Sequence, residues 1–340
     1  MGRPTAINLA QSCPRLQFLR SGFVARACGS RSPCHGIILE RVNRTLKQPI
    51  SISPVSVSNP SPAAVATPVA APHAGTPVAE ELFTRSADGT RIGYRRLGTG
   101  PGIVFVHGSV STHTDWMPAA KLLSAHFTCY VMDRRGRRGS GLGHGLYTIE
   151  REYEDIEAML AVAGSGAMLA AHSYGGVCAL GTALRNRLPK LVLYEPPLPL
   201  HTPIAGAPLA DYAMAIEAND FEGAMKLGLE KFIRLRPPAI EAIRNSRGWP
   251  KLVHLAPTWT RELIAMDAQP PTVEPYRRLD CPVLLLVGSN STEDPMKTTS
   301  RALAAVLPDV CVATLEGQGH LGLRGAPDQV AHHIAAFLAD

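Results

Sequence analysis

Six short apolar runs alternate with amphipathic segments along most of the chain, and this alternation strongly constrains the fold. The runs are GIVFVHG, FTCYVMD, AMLAAHS, KLVLYEPP, CPVLLLVG and VCVATLEG, which begin at residues 102, 127, 167, 190, 281 and 310. Helical patterns lie between or after most of them, over 116–125, 150–163, 174–187, 295–307 and 326–339. Strands that alternate with helices predict an α/β fold in which a mostly parallel sheet carries helices on both faces.

Polar residues follow each of these runs, and they are the candidates for a functional site. They are Ser109, Asp133, Ser173, Glu195, the segment 291–294 and His320. Because ligands of such sheets bind beyond the carboxyl ends of the strands, these side chains are expected to share one edge. A serine, a carboxylate and a histidine in that chain order are the elements of an activated nucleophile.

Four motifs around these residues occur together. They are VHGS, DRRGRRGSG, HSYGG and GQGH, which begin at residues 106, 133, 172 and 317. From about residue 78 to residue 340 the chain therefore resembles the α/β-hydrolases with a serine nucleophile. The resemblance implies an α/β-hydrolase fold with a mostly parallel eight-stranded sheet, helices on both faces and a helical cap inserted after strand 6.

Ser173 takes the position of the nucleophile, at the turn after the fifth strand. The chain reads A-x-S-x-G here, so Ala171 replaces the first glycine of the G-x-S-x-G motif, and similar lipases carry the same alanine. A structural helix N-cap is the alternative role for Ser173. His320 follows the last strand, where the family carries its base, and is predicted to accept the proton of Ser173.

The acid is the point at which the sequence departs from the common pattern. The residue expected to carry it, after the seventh strand, is Ser291, which cannot hold a charge. Glu195 directly follows the sixth strand and resembles the relocated acid of certain haloalkane dehalogenases. Glu293 and Asp294 lie further along the loop after the seventh strand and are the alternative acids. A site with no acid is the remaining option.

Two backbone N–H groups are predicted to bind the oxyanion. One belongs to Tyr174, directly after the nucleophile, and the other to Ser109, in the loop after the third strand. His107 is expected to shape that loop. The arginine-rich turn that begins at Asp133 matches a family turn that is usually structural, and it is expected to be a solvated, self-paired loop.

The chain divides into a core interrupted by one long segment. Residues 78–195 and 282–340 are predicted to form the α/β-hydrolase core, and residues 196–281 to form the helical cap. Several apolar side chains of this segment are expected either to line a pocket above Ser173 or to form the core of the cap: Met214, Phe221, Met225, Phe232, Trp249 and Trp259. Together they indicate an uncharged, partly apolar substrate.

Residues 1–77 are predicted to be a disordered extension and linker. The segment 49–77 consists mostly of Pro, Ser, Ala, Val and Thr, which cannot offset the entropy of ordering with a packed core. The Arg-rich segment before it has the composition of an organelle transit peptide, although an extension or a wrongly assigned start codon is the simpler interpretation. Four cysteines lie in or beside apolar patterns and are expected to be reduced, which favours a cytoplasmic location with organelle import as the alternative: Cys129, Cys178, Cys281 and Cys311.

The positive charge of the chain is concentrated in its first part. The net charge is +6, and residues 1–48 hold eight Arg and Lys residues against one Glu, so the remainder is close to neutral. A near-neutral body gives no electrostatic reason to expect nucleic acid as a partner. No apolar run reaches the roughly 18 residues of a membrane span.

The predicted activity is hydrolysis of a carboxylic ester or lactone through an acyl-enzyme on Ser173. A C–C bond hydrolase or an acyltransferase on the same three residues is the alternative within enzymes, and a ligand receptor without turnover is the alternative outside them. The expected partner is a small ester-like molecule, and no preference for an oligomeric state follows from the sequence. No metal or organic cofactor is expected, because no cluster has ligand spacing and no phosphate-binding glycine motif is present.

Overall fold

A computed structural model describes residues 79–339. Eight strands form one sheet in the order β1-β2-β4-β3-β5-β6-β7-β8. They are β1 (Glu80–Arg85), β2 (Arg91–Leu97), β3 (Gly102–Val106), β4 (Thr128–Met132), β5 (Met168–His172), β6 (Leu191–Tyr194), β7 (Val283–Gly288) and β8 (Val310–Leu315). The pairs β1–β2 and β2–β4 are antiparallel, and the other neighbours are parallel. The predicted mostly parallel eight-stranded sheet is confirmed.

Helices connect most of the parallel strands. They are α1 (Met117–Leu123), α2 (Ile149–Ala163), α3 (Tyr174–Ala183), α4 (Pro208–Glu217), α5 (Phe221–Lys231), α6 (Pro237–Arg244), α7 (Trp249–Leu255), α8 (Trp259–Asp267), α9 (Thr298–Val306), α10 (Gly322–Gly325) and α11 (Pro327–Ala339). The helical patterns of the sequence correspond to α1, α2, α3, α9 and α11. Five of the described helices have proline at one of the first two positions, where its missing N–H group is not needed: α1, α4, α6, α7 and α11.

Both faces of the parallel part of the sheet are buried, which explains why its strands are continuous apolar runs. Every residue of β5, β6 and β7 is buried. The side chains of β3 alternate between two cores. Val104 and Val106 pack with residues of α2 and α3, whereas Ile103 and Phe105 pack with residues of α1 and α11. The carboxyl ends of these strands therefore meet at one edge that both cores hold rigid.

Five helices, α4 to α8, occupy the segment 195–282 between β6 and β7, which we call the helical insertion. Its core contains Tyr212, Phe232 and Trp259, whose rings meet edge to face with centroids 5.4 to 5.9 Å apart. Met214, in contrast, is 59% exposed. The insertion stands where the helical cap was expected, and the division of the chain at residues 196 and 281 stays a prediction.

The sequence predictions for residues 1–77 lie outside the described residues. Within residues 79–339, Cys129, Cys178 and Cys281 are buried free thiols, as expected. The expectation is wrong for Cys311, which is disulfide-bonded. Cys311 is half-buried on the edge strand β8, whereas the other three cysteines are buried. No helix in this part of the chain is long and apolar enough to cross a bilayer.

Candidate active site

The turn between β5 and α3 holds Ser173 in a strained conformation. Its backbone φ and ψ are 54° and −127°, a conformation that residues other than glycine rarely adopt. Two backbone contacts hold the turn: the Ser173 N–H donates to the carbonyl of Tyr194 at 2.9 Å, and the Ser173 carbonyl accepts from Gly176 at 2.8 Å. The strain presents the hydroxyl at the carboxyl edge of the sheet.

Small residues permit this turn because other backbone lies close by. A Cβ atom at Gly175 would stand 2.5 Å from the carbonyl oxygen of His107, and one at Gly108 would stand 2.8 Å from Cβ of Ser173. Both distances are shorter than carbon atoms tolerate. The glycines of the HSYGG and VHGS motifs are therefore required by packing between β3, β5 and α3.

His320 joins the hydroxyl of Ser173 to the carboxylate of Glu195. Its Nε2 lies 2.9 Å from Ser173 Oγ, and its Nδ1 lies 2.8 Å from Glu195 Oε2. Because a carboxylate accepts, Nδ1 carries the proton and Nε2 is free to accept from the hydroxyl, a tautomer assigned from the hydrogen bonds. All three side chains are buried. The structure thus brings together the serine, the histidine and the favoured carboxylate of the sequence analysis.

Glu195 reaches His320 because β6 lies next to β7 in the sheet. It follows the last residue of β6 and has a φ of 46°. Its Oε1 accepts the N–H of Gly288, at the end of β7, at 2.7 Å, while Oε2 faces His320. A buried carboxylate is tolerable only when its oxygens have donors, and both oxygens of Glu195 have one.

The alternative acids lie elsewhere. Glu293 pairs with Arg301 and Asp294 pairs with Arg234, and their side chains are 65% and 38% exposed. Neither carboxylate contacts His320. Ser291, in the place where the common pattern has an acid, is buried, and its hydroxyl has no partner in the described part of the chain.

The predicted oxyanion donors, the N–H groups of Ser109 and Tyr174, flank Ser173. Tyr174 is the first residue of α3, where helix geometry leaves N–H groups without an intrahelical acceptor. Ser109 lines the same cavity as Ser173. The residue after Ser109, Val110, has a φ of 44°, a marked outlier for a β-branched side chain. Neither of these two backbone N–H groups donates a hydrogen bond to an acceptor within residues 79–339.

Two further contacts hold the loop that carries His320, and no sequence pattern indicated either of them. His172 Nε2 lies 2.8 Å from the His320 carbonyl, and the Tyr194 hydroxyl donates to the Gly319 carbonyl at 2.5 Å. Burial, together with electrostatic repulsion between the two neighbouring imidazoles, lowers the pKa of His172 to about 3. His172 is therefore neutral and donates from Nε2 to that carbonyl.

The arginine-rich turn after β4 is buried, so the expectation of a solvated, self-paired loop is wrong. Arg134 donates to Glu152 of α2 at 2.7 and 3.0 Å, to Glu262 of α8 at 3.0 Å and to the Gly108 carbonyl at 3.2 Å. Arg137 donates to the same oxygen of Glu262 at 2.6 Å. The acidic partners come from distant parts of the chain, which a local sequence pattern cannot indicate.

This network ties the helical insertion to the loop beneath it. Burial raises the pKa of Glu262, but the charges of Arg134 and Arg137 more than offset that effect, so its pKa lies below the ordinary value. Glu262 is therefore ionised in the core. His107 completes the support, since its Nδ1 lies 2.8 Å from the Gly108 carbonyl and its Nε2 accepts the N–H of Arg134 at 3.1 Å. These contacts agree with the loop-shaping role expected of His107.

A cavity of about 300 Å³ opens beside Ser173 and His320. Its apolar wall comes mostly from the insertion, with Leu229, Ile233, Ala242, Ile243, Leu252 and Trp259. Of the apolar side chains singled out in the sequence, Trp259 lines this cavity, and Met225, Phe232 and Trp249 are otherwise buried in the core. No group of three or more His, Cys, Asp or Glu side chains in residues 79–339 is arranged to hold a metal ion.

The fold and the sequence are similar to those of known hydrolases. An alpha/beta hydrolase from Sphaerobacter thermophilus superposes with a TM-score of 0.68 at 27% identity, over 76% of this chain and 100% of that one. An esterase from Thermogutta terrifontis superposes with a TM-score of 0.63 at 23% identity, over 76% and 98%. N-formylmaleamate deformylase from Pseudomonas putida is 36% identical over 118 residues, which are 33% of this chain and 44% of the deformylase. The chain thus spans less than half of that curated relative.

Residues 103–333 match the sequence pattern of one family over more than half of the chain. The matched range contains all of β3 except its first residue, the strands β4 to β8, the turn at Ser173, the carboxylate of Glu195 and the loop of His320. Sheet order, strained serine turn and sequence pattern therefore agree, and the chain belongs to the alpha/beta hydrolase family, a family of hydrolytic enzymes.

Proposed function

We propose that the protein is a serine hydrolase that cleaves a carboxylic ester or lactone of a small-to-medium, partly apolar substrate. The proposal is carried by the two hydrogen bonds of His320, 2.9 Å to Ser173 Oγ and 2.8 Å to Glu195 Oε2. A serine hydroxyl becomes a nucleophile when a neighbouring base takes its proton and a third group orients that base. The family membership supports hydrolysis as the type of reaction.

In the proposed reaction, Ser173 Oγ attacks the ester carbonyl carbon while its proton passes to Nε2 of His320. The Glu195 carboxylate stabilises the imidazolium, and the N–H groups of Ser109 and Tyr174 donate to the oxyanion. The C–O bond to the alcohol then breaks, and the leaving oxygen takes the proton from His320. Water, activated by His320 in the same way, attacks the acyl-enzyme and releases the acid with Ser173 restored.

The receptor alternative of the sequence analysis depended on the missing acid after the seventh strand. The contact between Glu195 and His320 removes that reason and favours turnover. The deformylase relative adds an N-formyl compound to the substrates worth testing. C–C bond hydrolysis and acyl transfer use the same nucleophile, so a panel of substrates and acceptors separates them from ester hydrolysis.

The test is covalent labelling with a fluorophosphonate probe followed by peptide mapping, with Ser173→Ala as the matched control. We expect a label on Ser173 and turnover of p-nitrophenyl esters that peaks at one acyl chain length, because the cavity is bounded. Lack of labelling in a folded protein would contradict the proposal and would favour a ligand receptor without turnover. An equal label on the Ser173→Ala variant would contradict the assignment of the nucleophile.

A further inference from the structure

The cavity beside Ser173 is lined by a charged cluster as well as by apolar side chains. Ser111, Asp115 and Arg324 are joined by hydrogen bonds and line the cavity together with Ser246, and we call these four residues its charged end. The apolar side chains of the insertion line much of the remainder. Since Ser173 and Arg324 border one cavity of about 300 Å³, a single small molecule can contact both. The apolar side chains of residues 196–281 indicated an uncharged substrate in the sequence, and Arg324 was not among the candidate site residues.

Arg324 has hydrogen-bond donors available to a ligand. It lies in α10, four residues after His320, and its side chain is 36% exposed. Its Nη2 donates to Asp115 Oδ2 at 2.7 Å. Within residues 79–339, its Nε and Nη1 make no hydrogen bond. Neither nitrogen is a fully buried atom that lacks a partner, so both remain accessible. A guanidinium held by one carboxylate therefore keeps several N–H groups free at the cavity wall.

The charges at this end do not cancel. Asp115 accepts from Ser111 at 2.5 Å, from Arg324 at 2.7 Å and from Lys251 at 3.3 Å. Burial raises the pKa of Asp115, but the charges of Arg324 and Lys251 and these hydrogen bonds more than offset it, so the carboxylate is ionised. Asp115 thus pairs with two cations, Arg324 at the wall of this cavity and Lys251, which lines a separate cavity, and the three groups together carry one net positive charge. Two other buried carboxylates, Glu195 and Glu262, have partners of their own: both oxygens of Glu195 accept hydrogen bonds, and Oε1 of Glu262 pairs with Arg134 and Arg137.

We propose that the substrate is a short ester with a single carboxylate remote from the scissile bond, which Arg324 binds while the ester carbonyl lies at Ser173. This inference rests on the proposed function of Ser173. Charge-assisted hydrogen bonds to guanidinium suit a carboxylate. One net positive charge matches a monoanion, whereas a phosphate dianion would face Asp115 with half of its charge uncompensated. The apolar wall then contacts the carbon chain between the two ends.

The test compares esters that differ only in charge. Monomethyl glutarate and methyl glutaramate have the same length, and a carboxamide replaces the carboxylate in the second. We expect wild-type kcat/KM to favour the anionic ester by about 10- to 100-fold, the size expected for a hydrogen bond to a charged group. In Arg324→Gln we expect this ratio to fall to about 1, and in Arg324→Lys to fall less. Arg277→Gln, which removes an exposed arginine paired with Glu274, is the control and keeps the ratio.

Binding without turnover separates this inference from the proposed function. In the Ser173→Ala background, calorimetry with monomethyl glutarate should show binding that Arg324→Gln weakens by about tenfold or more. Turnover of both esters at equal rates, or an unchanged ratio in folded Arg324→Gln, would overturn the carboxylate site and leave the serine hydrolase proposal standing. Arg324-dependent binding of monomethyl glutarate without any turnover or labelling would instead contradict the proposed function alone.

Discussion

Two carboxylate-bearing regions at the same edge of the sheet differ in one respect, which is enclosure. Directly after β6, Glu195 is fully buried, and each of its carboxylate oxygens accepts a hydrogen bond within the core. Beyond β7, Glu293 is exposed and Asp294 is partly exposed, and they pair with arginines that water also reaches. Position along the chain favours the second region as the source of the acid. Burial and complete hydrogen bonding favour the first.

Glu262 belongs with Glu195 in this comparison, although it lies in the insertion. It is fully buried, and its Oε1 accepts from Arg134 and Arg137. Enclosed carboxylates of this kind are expected to carry large energetic roles, because their partners have no water to replace them. Exposed pairs are expected to contribute little.

The largest expected effect is that of Glu195→Gln on activity. The change keeps the size of the side chain but removes the charge that stabilises protonated His320 and the acceptor that sets its tautomer. Loss of kcat by about 10⁴-fold is expected by analogy with other Ser-His-acid sites. Ester hydrolysis measured beside a circular dichroism spectrum tests it, and a folded variant within tenfold of wild type would contradict the role of Glu195.

The next effect is that of Glu262→Gln on stability. Removing one partner of a buried ion pair leaves Arg137 without its carboxylate, and we expect the free energy of unfolding to fall by about 3 kcal/mol. Urea denaturation measures it. Glu241→Gln, in an exposed pair with Arg244, is the matched control and should change stability by less than about 0.5 kcal/mol. Equal effects in the two variants would mean that enclosure does not decide the outcome.

A smaller effect is expected from His172 on the pH dependence of stability. Its pKa is about 3 in the folded protein and about 6.5 when unfolded, so between these values the unfolded chain binds more protons. Stability is therefore lost as the pH falls from about 6.5 to about 3. The slope of unfolding free energy against pH reflects the difference in bound protons between the unfolded and folded states, and replacing His172 by Gln should reduce that difference by up to about one proton. Denaturation at several pH values tests it, and an unchanged slope would show that His172 is not held neutral.

The smallest effect is expected from the exposed region. The double change Glu293→Gln with Asp294→Asn removes two surface ion pairs that do not contact His320, so kcat/KM should stay within about threefold of wild type. The same ester assay used for Glu195→Gln gives the direct comparison. A loss near 10⁴-fold here, with Glu195→Gln active, would reverse the assignment of the two regions.

Much of the fold was predictable because it depends on local patterns. The apolar runs correspond to buried strands, and the helical patterns correspond to α1, α2, α3, α9 and α11. The order of the motifs placed Ser173 and His320 after β5 and β8, and in a parallel sheet that order alone brings them to one edge. The burial of Arg134 was not predictable, since its partner Glu262 lies 128 residues away.

The sequence by itself determined the alternation of strands and helices, the strained serine turn with its glycines and the set of candidate carboxylates. These features depend on residue size, apolar periodicity and backbone preference within a few neighbours. Only the tertiary structure decided which carboxylate contacts His320, that Arg134 and Arg137 are enclosed with Glu262, and that Arg324 borders the same cavity as Ser173. Such contacts join residues far apart in the chain, and burial and hydrogen bonding at those contacts exist only once the sheet and the insertion are assembled.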